Sequence, residues 1–286
     1  MKSSFLCSSA VAMAAIMAFS ISQAQAKVTL TYATNTAPTG LRGIAEKMFV
    51  DEIEKRTKGE VQIKAFWGES LLKGSEILKG VQDGVADMGH INSNYYPNRL
   101  LLNSAINLFL QGPVSYDNKI GVYRTIYNEV PELTAEFDKY KQKILYIYAV
   151  NPFTGTFITP FNSLADFKGR RVRASSRWYL ALLEGLGATP VSIPWGDCYM
   201  ALQTKTVDGV FTNGDAINRV KLDEVAPNLY YFEEMWVPTP YLVTINTKKW
   251  NGLSEDVRKA IQAAAAETEK AFGVAYKTMY DDIIAD

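Results

Sequence analysis

A single histidine, His90, stands in the whole chain, and that scarcity removes most hydrolytic chemistry at once. His-assisted nucleophiles and His-ligated metals need more partners than one imidazole supplies. At the end of an apolar strand pattern, His90 suits a hydrogen-bonded structural role. Cysteine is nearly as scarce, with only Cys7 and Cys198. Cys7 precedes an apolar leader, so Cys198 is left without an internal disulfide partner and stability must come from packing. Beside Tyr199 and Met200 on a helical pattern, Cys198 reads as a small buried hydrophobe rather than a nucleophile. Neither charge is in excess, since 30 Lys+Arg face 30 Asp+Glu, which leaves no electrostatic footprint for nucleic acid or an anionic membrane. Phosphate-loop, dinucleotide and zinc patterns are absent. The neighbouring carboxylates Glu233-Glu234 and Asp281-Asp282 face different directions on regular elements and read as solvated. No cofactor, no metal and no enzyme activity is expected.

The apolar run from Val11 to Ile21 is shorter than the roughly 20 residues that a membrane span requires. Lys2 precedes it and Ala24-Gln25-Ala26 follows, with small residues at alternate positions as signal peptidase requires. Residues 1–26 are therefore expected to be a cleaved signal peptide and the mature chain to begin at Lys27 in the periplasm. Roughly 260 residues remain, enough for two α/β lobes with buried cores. Aromatic residues make up 12% of the chain and 16 are Tyr. Such rings serve equally as core and as the walls of a ligand enclosure.

Periodicity sets the order of elements. Val28–Tyr32 alternates as a strand, and Leu41, Ile44, Ala45, Met48, Phe49 and Ile53 repeat at helical spacing until Gly59 stops the helix. Strand Val61–Phe66 follows, then a helix opened by Ser75 that carries Ile77, Leu78 and Val81 on one face, then strand Val85–Ile91. This β-α-β-α-β order predicts parallel strands with right-handed crossovers and loops on one rim. A helix is expected over Asn118–Tyr127 and a strand over Ile144–Val150, with a first crossing between lobes at Asn151-Pro152. A return crossing is expected at Pro238-Thr-Pro240, ahead of strand Tyr241–Asn246. The expected division is 27–150 plus 239–278 for the first lobe and 151–238 plus 279–286 for the second. Two crossings make a hinge. From Leu253 onward the chain reads as one long helix with Ser254 as N-cap, and its abrupt stop at Asp286 suggests a truncated form.

The richest stretch runs from Leu164 to Asn213. Gly169-Arg-Arg-Val-Arg173 is a short basic strand, followed by Gly185-Leu-Gly-Ala-Thr-Pro-Val191, Pro194-Trp-Gly196 and Ala201-Leu-Gln-Thr-Lys-Thr-Val-Asp-Gly209. Arg173 ends its strand toward the interlobe crevice, where open α/β sheets bind ligands. A guanidinium there offers a planar fork that fits a carboxylate or sulfonate. The plainer alternative is a surface arginine in a basic run with Lys168, Arg170, Arg171 and Arg177. Asn213 has the same address on the neighbouring strand.

This stretch resembles the solute-binding subunits of TRAP transporters, the DctP-like family. The likeness extends forward through Glu54-Lys-Arg-Thr-Lys-Gly59 and Val81-Gln-Asp-Gly-Val-Ala-Asp-Met-Gly89, so it covers nearly the whole mature chain. It implies a two-lobed periplasmic binding fold, a mixed sheet flanked by helices in each lobe, and a long helix late in the chain. It also implies that Arg173 binds a ligand carboxylate, that Asn213 faces the ligand, and that Asn35 and Asn92 contact it from the first lobe. Where some members carry a second arginine this chain has Phe153. Trp67 replaces a common proline, and Trp236 stands where many members have polar residues near the cleft mouth. These rings either pack against the hinge or wall the ligand site, as Trp195 and Tyr95 would. An aromatic ring in place of a cation favours a ligand with one strong anionic end. The implied partners are a small organic acid and a permease of small and large subunits driven by an ion gradient, with a monomeric receptor and no nucleic acid. A sensor module feeding a membrane kinase, or an exported enzyme acting on an organic acid, are the competing readings.

Overall fold

The computed structural model describes residues 27–285 apart from 114, 151–152 and 233–234. The leader, Asn151-Pro152, Glu233-Glu234 and the side chains of 218 and 280–285 lie outside the described residues. The first lobe opens as its periodicity requires: β1 (Val28–Ala33), α1 (Gly40–Arg56), β2 (Val61–Phe66), α2 (Ile77–Asp83) and β3 (Met88–Asn92). Strand β1 pairs in parallel with β2 from Val28↔Val61 to Ala33↔Phe66, and with β3 at Tyr32↔Met88. Leu41, Ala45, Phe49 and Ile53, one face of α1, are buried in the core that Leu30 and Val61 share. The chain leaves α1 through Gly59 at φ +78, whose amide donates back to the Glu54 carbonyl at 2.9 Å. That is a left-handed exit, which glycine enters without steric cost.

Several elements differ from the sequence expectation, the helix expected over Asn118–Tyr127 and the strand expected over Ile144–Val150 among them in their bounds. Helix α2 starts at Ile77 with Glu76, not Ser75, before it. Strand β3 begins only at Met88, because Val85 is exposed and Gly84 still turns the chain at φ +81. Between the lobes' main units lie α3 (Leu101–Ala105), α4 (Tyr116–Glu129) and α5 (Pro131–Asp138), with β4 (Gln142–Tyr148) following. Pro131 opens α5 at a first-turn position, where its missing N–H costs nothing.

The second lobe contains β5 (Phe153–Phe157), β6 (Arg171–Arg173), α6 (Arg177–Gly185), β7 (Thr189–Val191), α7 (Cys198–Gln203), β8 (Gly209–Asn213), α8 (Gly214–Arg219) and β9 (Asn228–Tyr231). The chain then returns through β10 (Tyr241–Asn246) and α9 (Thr247–Gly252) to α10 (Glu255–Ala285). One sheet has the order β2-β1-β3-β10-β4 and the other β7-β6-β8-β5-β9. Each is mixed: β10 runs antiparallel to β3 and β4, while β5 runs antiparallel to β8 and β9. Ser254 does cap α10, its Oγ accepting from the Val257 amide at 3.2 Å. The helix packs along α1 and β4, and Met279 still lies against the first lobe's core.

The chain passes between sheets after β4 and again before β10. A lysine holds both passages. Lys119 on α4 is fully buried, donates to the Val150 carbonyl at 3.3 Å and lies 5.5 Å from the centre of the Trp236 ring. Burial pushes its ammonium well below the ordinary lysine value.

Glycine at 209 is required by packing. A Cβ there would sit 2.2 Å from Cδ1 of Phe157, a fully buried ring held by Phe161, Phe167, Phe211 and Tyr230. Overpacking of this kind costs about 1–3 kcal/mol. Gly209→Ala should therefore lower the melting temperature by about 2–4 °C for each kcal/mol lost. A thermal melt that superimposes on the unaltered protein would show that the ring can yield.

Candidate functional site

The basic run sorts itself by burial. Arg170 donates to the carbonyls of Thr159 and Pro160 at 2.7 Å each, and Arg171 forms a two-pronged pair with Asp208 at 2.8 and 3.1 Å. Both serve the surface, and Arg177 is exposed. Arg173 is buried, with 2% of its surface accessible. Its Nε donates to the Ile193 carbonyl at 3.2 Å, its guanidinium lies 5.6 Å from the Trp195 ring centre, and its Nη2 has no partner. Strand β6 pairs in parallel with β8 at Arg173↔Val210, so Asn213 stands just beyond it at the carboxyl end of the neighbouring strand. Asn213 is buried too, and its Nδ2 is likewise unpartnered. Two buried donors without acceptors at one rim are a costly arrangement that an anion would relieve.

The first lobe carries a polar cluster that reaches the interlobe space through Asn35 and Tyr95. Asn35 follows β1; its Oδ1 lies 2.9 Å from Nδ1 of His90 and its Nδ2 reaches toward the Tyr95 hydroxyl at 3.5 Å. The tyrosines Tyr32 and Tyr148 each donate to Glu46 at 2.6 Å, and His90 Nε2 lies 3.9 Å from that carboxylate. His90 is thus a structural residue, as expected, stacked on Tyr241 and Tyr148. Burial, with the charges of Arg42 and Arg219 assisting and Glu46 opposing, pushes its pKa down to about 4. Asn92 differs from Asn35, since its Oδ1 is spent on the Asn94 amide at 3.0 Å and holds the loop after β3.

Sequence reasoning missed three charged residues here. Arg42, at the start of α1, is buried between the rings of Trp195 (6.0 Å) and Tyr241 (5.5 Å). Asp215 and Arg219 lie one turn apart on α8. Burial raises the Asp215 carboxyl, while Arg219, Arg42 and the first amides of α1 at Arg42 and Leu41 oppose the rise. Gly40 makes this approach possible, because a Cβ there would fall 3.1 Å from Arg219 Cδ and 3.4 Å from Asp215 Oδ2. The i, i+4 spacing of Asp215 and Arg219 was visible in the sequence. Their meeting with Arg42, far away in the chain, was not.

Between the lobes lies a cleft of about 730 Å³ walled by Tyr95, Asn94 and Glu69 on one side and by Ser175, Ile193 and Trp195 on the other. A smaller chamber of about 180 Å³ is lined by Asn35, Glu69, Trp195 and Arg219. Trp195 lines both and so divides them. The other rings sit elsewhere. Phe153 is packed among Tyr179, Phe211 and Phe232 in the second lobe's core. Trp236 is buried against Tyr123 and Lys119, its Nε1 donating to the Phe109 carbonyl, and not at the cleft mouth. Trp67 meets Tyr32 edge-on at 6.2 Å. Cys198 is fully buried, as a structural thiol should be.

Two sheet-built lobes that enclose a polar, donor-rich cleft at the strands' carboxyl ends define a two-lobed solute receptor. The sequence pattern of the family described as "Bacterial extracellular solute-binding protein, family 7" matches residues 32–285, and the chain belongs to that family, the DctP family of TRAP solute-binding proteins. It is 29% identical over 262 residues to the 2,3-diketo-L-gulonate-binding periplasmic protein YiaO of Escherichia coli, covering 90% of this chain and 77% of that one. The ectoine-binding periplasmic protein TeaA of Halomonas elongata is 27% identical over 240 residues, or 82% and 68% of the two chains. Among solved structures, the Bordetella pertussis receptor DctP6, which binds pyroglutamic acid, superposes with a TM-score of 0.80 at 20% identity, covering 90% of this chain and 84% of its own.

The buried imidazole couples stability to acidity. Its folded pKa of about 4 lies below the unfolded value of about 6.5, so on acidification the unfolded chain binds the proton first. Stability from this group is complete above about pH 6.5 and is lost as the pH falls toward 4, by on the order of 3 kcal/mol at most. In urea unfolding between pH 7 and 4.5, His90→Gln should flatten the decline relative to the unaltered protein. Parallel declines would assign it to carboxylates instead.

Proposed function

We propose that this chain captures a small organic acid with one strong anionic end in the interlobe cleft and delivers it to the small and large subunits of a TRAP-type permease. The observation that carries the reading is the pair of buried, unpartnered donors, Arg173 Nη2 and Asn213 Nδ2, at the carboxyl ends of neighbouring parallel strands. The guanidinium fork takes the carboxylate or sulfonate and the amide takes its second oxygen. Asn35 and Tyr95 meet the ligand from the first lobe, Trp195 forms its wall, and Asn92 acts by holding the loop that carries Tyr95. Phe153, Trp67 and Trp236 support the lobes and the hinge behind this contact surface.

The names of relatives support this chemistry, since the Bordetella pertussis neighbour binds pyroglutamic acid and another was solved with orotic acid, each with a single carboxylate. A ligand that touches both lobes favours the closed form by its differential affinity for it. Among the described residues no helix is long and apolar enough to cross a membrane. In this reading the receptor acts as a monomer outside the cytoplasmic membrane after cleavage behind Ala26, as the periplasmic names of its relatives support.

A thermal-shift screen of the mature protein against organic acids should find at least one that raises the melting temperature, as a native-state ligand must. For that acid, Arg173→Ala should weaken binding at least tenfold by calorimetry, about 1.4 kcal/mol. An affinity unchanged by the substitution would remove Arg173 from the site.

A further inference from the structure

The only histidine of the chain is placed where it can do more than fill the core. Its Nδ1 lies 2.9 Å from Oδ1 of Asn35, while its Nε2 is buried without a hydrogen bond, 3.9 Å from an oxygen of Glu46. Both oxygens of that carboxylate already accept a tyrosine hydroxyl at 2.6 Å. With its pKa held down to about 4, chiefly by burial, the ring is neutral near pH 7 and one nitrogen alone carries a proton. A proton on Nδ1 gives a full-length bond to the Asn35 oxygen and leaves only a lone pair on Nε2. A proton on Nε2, with the Asn35 amide turned over, would instead leave a buried N–H beyond hydrogen-bond reach of Glu46. An orphaned donor is the costlier of the two.

Asn35 stands where its orientation matters. It lines the smaller chamber, and its Nδ2 reaches toward the Tyr95 hydroxyl at 3.5 Å, a long bond that occupies one of the two amide protons at most. Gly74 keeps this side of the amide open, because a Cβ there would fall 3.2 Å from Nδ2 and 3.0 Å from Cε2 of Tyr95. Turned the other way, the amide would set carbonyl lone pairs beside the proposed anion. The rings of Tyr148 and Tyr241, stacked on the imidazole with centres at 6.1 and 5.6 Å, hold the plane in which the His90 bond lies.

We infer that His90 is a positioning residue for ligand recognition: its Nδ1–H holds the Asn35 oxygen, so that Asn35 faces the cleft with N–H groups alone. The inference rests on the Asn35 contact in the reading above and adds a fixed polarity to it. Arg173 Nη2 and Asn213 Nδ2 present donors from the second lobe, and the first lobe answers with a donor whose direction is set by a residue behind it. An amide held in its bound orientation loses no rotational freedom when the ligand arrives.

A sole histidine makes the first test unambiguous. In untagged mature protein carrying isotope-labelled histidine, without ligand at pH 7, the imidazole gives one pair of nitrogen resonances, and couplings to the ring protons should identify Nδ1 as the protonated member. Protonation of Nε2 instead overturns the inference. The affinity test uses the acid found by the thermal-shift screen, with L-pyroglutamate and orotate as the first probes. By calorimetry, Asn35→Ala should weaken binding about threefold to tenfold, the worth of a neutral hydrogen bond. Asn35→Asp should weaken it at least about tenfold more, because it keeps the acceptor for His90 and sets an anion against an anion. His90→Phe preserves a stacked ring and removes the donor; in that background Asn35→Ala should cost less than about twofold. His90→Asn, whose amide nitrogen is as far from Cβ as Nδ1, should restore part of the affinity lost in the phenylalanine variant. Equal costs of Asn35→Ala in both backgrounds would reduce His90 to a packing role, and equal effects of alanine and aspartate at 35 would show that the amide nitrogen does not face the ligand. The resonance pattern and the two Asn35 variants need no change at position 90, so they decide the matter where His90→Phe melts early. Silent Asn35 variants beside a damaging Arg173→Ala overturn the positioning role and leave the carboxylate reading intact, whereas a screen in which no acid raises the melting temperature overturns both.

Discussion

Burial of a guanidinium that keeps only part of its hydrogen bonding is the constraint on which the cleft depends. Arg173 is held by one carbonyl, that of Ile193, and by the face of Trp195, while Nη2 is left without an acceptor. Removing such a group from water costs several kcal/mol unless its donors are met. The fold bears this cost at the carboxyl ends of β6 and β8, where backbone groups have left the ladder and side chains from two strands converge. The proposed ligand supplies the missing acceptor, so the same term that weakens the empty closed state favours the filled one. Closure is then conditional on chemistry.

Such conditionality requires that the lobes meet without a large apolar interface. The contacts across the cleft are polar and separately small. Arg177 donates to Asn98 at 3.3 Å and the Trp178 indole to the Ser104 carbonyl at 2.8 Å, both from the start of α6. On the other flank α8 meets the N-terminus of α1, whose own N-cap residue Thr39 provides no side-chain bond. Asp215 faces those open amides from the opposite lobe, an anion at the positive end of a helix. Behind both flanks, Lys119 binds the two crossings to α4 through Val150 and Trp236. A buried ammonium on a carbonyl and an indole ties both crossings to one point on α4.

Much of this was legible in the residues, and what was not has a physical reason. The first lobe could be read because its strands alternate and α1 repeats at 3.6, two periods that do not imitate each other. Strand β5 could not. Phe153-Thr-Gly-Thr-Phe157 has glycine at its centre because the rings of Phe157 and Phe211 occupy the space a side chain would need, and glycine in a strand reads as a turn. Arg173 was found through the end of a strand, a local feature. Arg42 was passed over because it lies outside the stripe of Leu41, Ala45 and Phe49 that identified the helix, and its partners on α8 are remote in sequence. Trp236 was left between two readings for a related reason: a ring near a proline-rich crossing can turn toward ligand or hinge, and only the packing of Tyr123 and Gly112 against it decides.

The substitution of Phe153 for an arginine gains its meaning from those missed residues. Taken alone, a phenylalanine at that position subtracts one cation and points to a ligand with a single anionic end. Behind the cleft walls nevertheless stand three guanidiniums, Arg42, Arg173 and Arg219, with the carboxylates of Asp215 and Glu46 near them. The phenylalanine therefore does not make the site poor in cations. Arg42 and Arg219 stand on helices of opposite lobes, not on β5 in the same sheet as Arg173. On the proposed function, a ligand that bridges the lobes brings these charges together through the closing movement, so closure and recognition are one event.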